Sequence, residues 1–109
     1  MASWQDQYDI EIKNAKLARA MGYEGRARVC ARRAAGLVIG EYLCGKEYTL
    51  PSASAYDRLR LLNSLPDLPV EVYQVTGRLL ERVNSNYQLP ADADLIKDAE
   101  WLRATLLPA

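Results

Sequence analysis

Apolar residues recur along most of this chain at intervals of three and four, the spacing that places side chains on one face of an α-helix. The first helical segment runs from about Ser3 to Met21, with a cap predicted at Ser3, and the second runs from about Glu24 to Cys44. No run shows the sustained alternation of apolar and polar residues that is typical of a half-buried strand. The pattern therefore predicts an all-α fold.

Apolar residues lie on two sides of the first segment. One stripe contains Trp4, Tyr8, Ile12 and Ala15, and the other contains Ile10, Leu17 and Met21. We therefore expect this helix to contact two surfaces. The second segment is apolar nearly all round from Ala34 to Gly40, as in the central helix of a bundle or a subunit interface, and its small residues permit close approach by another helix.

Three further helical segments follow, separated by turns. The third begins near Ser52 and Ser54, both candidate caps, the fourth runs from about Pro69 to Tyr87, and the fifth follows a cap predicted at Asp92. Short connections favour antiparallel neighbours. We predict an antiparallel up-down helical bundle of four long helices and one shorter helix.

Length and composition indicate one globular domain spanning residues 1–109. The chain has 109 residues, of which 50% are apolar and 26% charged, an ordinary balance for a folded protein. Its longest uncharged apolar run, Ala34 to Gly40, is far shorter than the roughly 20 residues that span a bilayer. The first segment also opens with acidic rather than basic residues. We expect a cytoplasmic protein that does not associate with membranes.

Metal and nucleophile chemistry is restricted because the chain has no histidine and only two cysteines. Cys30 and Cys44 fall on the same predicted helix, about 21 Å apart at 1.5 Å per residue, which exceeds the span of a disulfide. We interpret both as reduced core thiols. A structural zinc site and a serine-histidine pair are excluded, and we expect neither a metal nor a cofactor.

Charge is unevenly distributed although the formal charge of the chain is zero. Residues 13–33 hold seven basic residues and one acidic residue, a formal charge of +6, so the rest of the chain carries −6. The densest cations, at the start of the second segment, are Arg26, Arg28, Arg32 and Arg33. Guanidinium groups bind phosphate through forked donors, so this cluster is a candidate ligand-binding site.

The arginine cluster has two interpretations. A phosphate can rest on the first turn of the second segment, held by Arg26 and Arg28. Alternatively, the arginines pair with Asp94, Asp98 and Glu100, within the bundle or across a dimer, since ion-paired faces outnumber ligand sites.

The second segment also carries a resemblance to a known family. Residues Ala27 to Leu43 read ARVCARRAAGLVIGEYL, and Ser54 to Leu62 read SAYDRLRLL. These small and apolar positions resemble the HEPN family of small helical bundles, whose second helix is rich in alanine, and the resemblance covers most of the chain. It implies a bundle that dimerises, binds nucleotide or RNA, or belongs to a toxin-antitoxin pair with a small nucleotidyltransferase as partner.

The chain departs from this family where ribonuclease members carry their R-x4-6-H motif. The nearest string, Arg82 to Tyr87, reads RVNSNY and ends in tyrosine, whose unperturbed pKa of about 10 makes it a poor proton shuttle at neutral pH. We therefore expect a non-catalytic homodimer that binds a partner protein, or the phosphate of a nucleotide or RNA, through the arginine cluster. A divergent ribonuclease using Arg82, Tyr87 and Glu41, and a purely structural dimerising subunit, are the alternatives.

Overall fold

The computed structural model describes residues 3–81 and 94–108 of the chain. These residues form helices, turns and irregular connections, and no strand. The helices are α1 (Trp4–Ala20), α2 (Glu24–Gly45), α3 (Ala55–Ser64), α4 (Val70–Leu80) and α5 (Leu95–Leu106). The predicted all-α class is confirmed.

The helix lengths differ from the prediction of four long helices and one shorter helix. The long helices are α1 and α2, with 17 and 22 residues, whereas α3, α4 and α5 have 10, 11 and 12. The largest difference is in α4, which ends at Leu80 instead of Tyr87, because Glu81 adopts an extended conformation. The predicted cap Asp92 and the string from Arg82 to Tyr87 lie outside the described residues.

Serine side chains fix the start of two helices. The hydroxyl of Ser3 accepts a hydrogen bond from the backbone of Asp6, so Ser3 caps α1 as predicted. The cap of α3 is Ser54, whose hydroxyl accepts from the backbone of Asp57. Ser52 is not the cap, because its hydroxyl instead donates to the Asp57 carboxylate at 2.7 Å and accepts from the backbone N–H of Ser54.

The central element of the bundle is α2, which contacts α1, α3 and α5. Its small residues face these neighbours and are fully buried at Ala27, Ala31, Ala34 and Ala35. The largest fully buried aliphatic side chains around them are Val38, Ile39, Leu43, Leu59, Leu62, Val72, Leu79, Leu95 and Leu102. The part of α2 that is apolar nearly all round, Ala34 to Gly40, therefore lies inside the protein, as its sequence predicts, with only Leu37 half-buried.

The close approach that we predicted at the small residues of α2 is made by the start of α3. A Cβ atom on Gly36 would lie 2.9 Å from the Cβ of Ala55, and one on Gly40 would overlap the guanidinium of Arg58. Arg58 donates hydrogen bonds to the carbonyls of Gly36, at 3.1 Å, and of Ser52, at 2.9 Å. A side chain at Gly36 would therefore displace the backbone of α3, and one at Gly40 would displace the guanidinium of Arg58 from the surface of α2.

The two cysteines have different environments. Cys30 is buried, as predicted, but Cys44 is exposed, so the prediction of two core thiols is wrong for Cys44. It lies in the last turn of α2, and residues 44–49, which end the helix and begin the following connection, are all exposed. None of the helices in the described ranges combines the length and the apolar character needed to cross a membrane.

Candidate functional site

Arg32 points into the protein. The residue is 8% exposed, its Nε donates to the carbonyl of Leu79 at 2.8 Å and its Nη2 donates to that of Glu81 at 3.0 Å. The guanidinium also lies 5.7 Å from the ring centroid of Tyr56. Carbonyls at the end of a helix lack partners within the helix and carry partial negative charge, so they attract a cation. Arg32 therefore holds α2 against the C-terminal end of α4, and its guanidinium lies inside the fold instead of on the outer surface of α2.

Arg28 lies one turn before Arg32 on the same side of α2. It is half-buried, and its Nε is buried without a hydrogen-bond partner in the described part of the chain. At about 100° per residue, it lies about 140° around the helix from Arg33. Arg28 therefore does not share a surface with Arg33.

Arg26 and Arg33 lie on the outer side of α2, and both are exposed. The side chain of Arg33 is 65% exposed, and its Nε is 4.0 Å from the carboxylate of Glu11 on α1. Arg26 forms no ion pair with any residue in the ranges 3–81 and 94–108. The structure therefore brings together two of the four predicted site residues and separates the other two from them.

These two arginines border a groove between α1 and α2. Three depressions with volumes of about 240, 500 and 440 Å³ follow one another along it. The first two adjoin at Asn14 and Arg26, and the second and third adjoin at Glu11 and Arg33. The groove thus extends from Met21, at the end of α1, to the segment before α3.

Exposed apolar side chains accompany the groove. On α1 they are Ile10, Leu17 and Met21, which are 56%, 56% and 59% exposed, and on α2 Val29 is 42% exposed. We define the α1–α2 face as Ile10, Leu17, Met21, Arg26, Val29 and Arg33. Of the two predicted stripes of α1, the first packs in the core, whereas the second belongs to this face. The second stripe indicated this face in the sequence. Nothing in the sequence indicated that Glu11 and Asn14 line the groove.

The acidic residues of α5 do not neutralise the α2 arginines within the chain. Each of them pairs with a different cation: Asp94 with Arg19 at 2.9 Å, Asp98 with Arg78 at 2.9 Å, and Glu100 with Lys16 at 3.4 Å. The predicted pairing of the arginine cluster with these carboxylates is therefore wrong within one chain. The predicted pairing does not form because these carboxylates, at the start of α5, lie beside Lys16 and Arg19 of α1 and Arg78 of α4.

Arg19 connects three helices near the open end of the groove. Its Nη2 donates to Glu24 at 2.8 Å and its Nη1 donates to Asp94, the N-cap of α5, at 2.9 Å. The hydrogen bond with Glu24 raises the pKa of Arg19, although burial opposes this effect. Burial alone would raise the pKa of Asp94, but the hydrogen bonds from Arg19 and from the backbone N–H groups of Lys97 and Ile96 lower it.

No family model, curated protein or solved structure matches this chain. We therefore interpret the α1–α2 face from the geometry of its own residues alone. Of the residues in the ribonuclease alternative, Glu41 is exposed on α2, and Arg82 and Tyr87 lie outside the described residues. Within the ranges that the structure describes, no three His, Cys, Asp or Glu side chains are grouped to hold a metal ion.

Proposed function

We propose that this protein is a non-catalytic, HEPN-like helical bundle that binds a partner protein through the α1–α2 face. The observation that carries the proposal is the position of Arg26 and Arg33 beside an exposed apolar stripe. Protein interfaces combine an apolar centre with a polar rim, and arginine is enriched in them. An exposed apolar patch rimmed by polar residues is typical of an interaction site.

The geometry favours a protein over a single bound phosphate. Arg26 and Arg33 are seven residues apart, or about 10.5 Å along the helix axis, a spacing of two helical turns. Val29 lies between them on the same side of α2 and is 42% exposed. An apolar side chain at the centre adds nothing to the binding of an inorganic anion but contributes to a protein interface.

Site-specific photo-crosslinking in cells of the source organism tests this proposal. A photoreactive phenylalanine analogue at Leu17 lies in the α1–α2 face, and Val70, at the start of α4, is the control position. The two side chains are similarly exposed, at 56% and 62%. We expect a discrete cross-linked protein from Leu17 that is absent from Val70, identified by mass spectrometry. The same products from both positions would contradict the proposal.

Titration with labelled RNA and nucleotides at several salt concentrations separates protein binding from phosphate binding. Affinity that weakens steeply with salt and disappears in the Arg26→Ala/Arg33→Ala double variant would indicate a phosphate ligand instead of a protein. We expect no such affinity, because the exposed apolar side chains beside Arg26 and Arg33 favour a protein ligand.

A further inference from the structure

The groove of the α1–α2 face has the length of a short helix. Its lining residues run along α2 from Tyr23 to Leu37, an axial distance of about 21 Å, which equals the length of a helix of about fourteen residues. A groove between two packed helices is the surface on which a third helix packs, with its side chains entering between the ridges of the other two.

The end of the groove near α3 provides a cleft for an apolar side chain. This third depression, with a volume of about 440 Å³, is lined by Ile10, Leu37, Ala53 and Ala55, by Gly36, and by four polar or charged residues that include Arg33 and Arg58. Because Gly36 has no side chain, the start of α3 packs directly against the backbone of α2 at this end of the groove. The apolar lining favours an aliphatic or aromatic anchor residue on the occupant.

The charges of the α1–α2 face indicate which charged residues an occupant carries beside its apolar anchor. Arg26 and Arg33 lie two helical turns apart along one edge, and Lys13 on α1 is also exposed. The carboxylate in the groove belongs to Glu11, whose side chain is only 18% exposed and already lies 4.0 Å from Arg33. Asp6 on α1 is exposed near the Ile10 end of the face, so the cationic part of the face is the edge along α2, where an occupant gains from acidic residues at a spacing of seven.

We infer that the α1–α2 face receives an amphipathic helix of a partner protein whose apolar side enters the groove and whose acidic residues pair with Arg26 and Arg33. This inference rests on the proposed function and specifies the partner. A second copy of the chain fits less well, because the residues that define its own α1–α2 face include no carboxylate to pair with Arg26 and Arg33.

Two synthetic peptides test the inference with the full chain. Both are fluorescein-labelled amphipathic helices of fourteen residues with identical leucine positions, and they differ only in carrying glutamate or lysine at two positions seven apart. By fluorescence anisotropy we expect the glutamate peptide to bind about tenfold more tightly than the lysine peptide, with an affinity that falls as salt rises. Equal affinities, or no binding of the glutamate peptide, would overturn the inference.

Variants assign the peptide to the groove. We expect Arg26→Glu/Arg33→Glu to reverse the preference between the two peptides and Leu17→Asp to abolish binding of both. The matched controls are Arg60→Glu and Val70→Asp, since these side chains are similarly exposed on α3 and α4, and we expect both to leave affinity unchanged. Affinity that the groove variants do not change would overturn the inference.

The oligomeric state of the purified chain shows whether a second copy of the chain occupies the face. Light scattering on the purified chain is expected to give a monomer mass, whereas a dimer that Leu17→Asp dissociates would show that a second copy occupies the face and would overturn the inference. If neither peptide binds but Leu17 gives a specific protein cross-link, the acidic helix is rejected as the occupant and the proposed function stands. If neither peptide binds and Leu17 gives no specific cross-link, the proposed function is rejected as well.

Discussion

At the scale of single residues, Arg32 is held by two carbonyl groups at the end of α4. Methionine is of similar length but donates no hydrogen bond, so Arg32→Met leaves the carbonyls of Leu79 and Glu81 without these partners. We expect the free energy of unfolding, measured by urea denaturation, to fall by about 2–3 kcal/mol, since hydrogen bonds to charged groups contribute more than neutral ones.

Arg33→Met is the matched control for this change, because Arg33 is the next residue along the same helix. Its side chain is 65% exposed, and its nearest carboxylate is 4.0 Å away. We expect a change within about 0.5 kcal/mol. Similar losses for both variants would show that the two arginines do not have separate roles in the fold and at the surface.

Gly36 and Gly77 should respond to alanine in opposite directions. A Cβ on Gly36 would lie 2.9 Å from the Cβ of Ala55 and 3.1 Å from its Cα, so α3 must shift, and we expect Gly36→Ala to lower the free energy of unfolding by about 1–3 kcal/mol. At Gly77, in the middle of α4, a Cβ meets nothing within 4 Å, and alanine should raise it by about 0.5–1 kcal/mol. Urea denaturation measures both, and a gain in stability at Gly36 would contradict the packing described.

The α2 arginines show what residue spacing predicts and what it does not. Helical periodicity alone places Arg28 with Arg32 on one side of the helix and Arg26 with Arg33 on another. Which side faces inward depends on where α4 ends, since Arg32 binds carbonyls that lie 47 and 49 residues further along the chain. Contacts between residues so distant in sequence leave no trace in a local pattern.

At the scale of helices, the start of α5 depends on the ionised form of Asp94. A carboxyl whose folded pKa lies below its unfolded value stabilises the fold at pH above the unfolded pKa, and this stabilisation is lost as pH falls through the folded pKa. The pKa of Asp94 is lowered by its hydrogen bonds, although burial opposes them. We therefore expect the free energy of unfolding to decline as pH falls from about 5 to about 3, around the unfolded aspartate value of about 3.9.

Asp94→Asn isolates this contribution, because asparagine caps helices as well as aspartate does but does not ionise. Its free energy of unfolding should be lower than that of the natural chain near neutral pH, where Arg19 has lost a charged partner. The difference between the two proteins should shrink in acid, as followed by urea denaturation at each pH. A constant difference across this range would show that the charge of Asp94 does not stabilise the fold.

Helix boundaries were predicted where the signal is local and missed where it is not. Ser3 caps α1 as its position suggests, whereas the prediction of the α5 cap at Asp92 was wrong, because the structure places that cap at Asp94. Ser52 and Ser54 are chemically equal candidates, and only the path of the chain before α3 decides between them. At the end of α4, Arg32 of another helix binds the carbonyl of Leu79, a contact that the local sequence does not indicate.

At the scale of the whole molecule, the exposed stripe of α1 contributes little to folding. Leu17 is 56% exposed, whereas Leu59 in the core is fully buried. We expect Leu17→Ala to lower the free energy of unfolding by less than about 1 kcal/mol and Leu59→Ala to lower it by about 2–5 kcal/mol. Urea denaturation distinguishes the two. A large loss at Leu17 would mean that this side chain serves the core rather than an interface.

The all-α class followed from periodicity, because five amphipathic segments need no long-range information to be recognised. The second stripe of α1 likewise indicated a further surface before any coordinates were known. The shape of that surface could not be predicted, since its groove forms only when α1, α2 and the start of α3 come together. Its charge was predicted in part, because Arg26 and Arg33 belong to it and Arg28 and Arg32 do not.

The three-helix connection through Arg19 bears on how fast a partner can associate. Glu24 and Asp94 hold this guanidinium at 2.8 and 2.9 Å, which ties the end of α1 to the starts of α2 and α5 before anything docks. A recognition surface that is already in its final shape spends little conformational entropy on docking. Observed association rates should therefore rise linearly with peptide concentration, without the plateau that a slow rearrangement of the receptor would impose. Loosening this junction with Arg19→Met should introduce that plateau in stopped-flow traces.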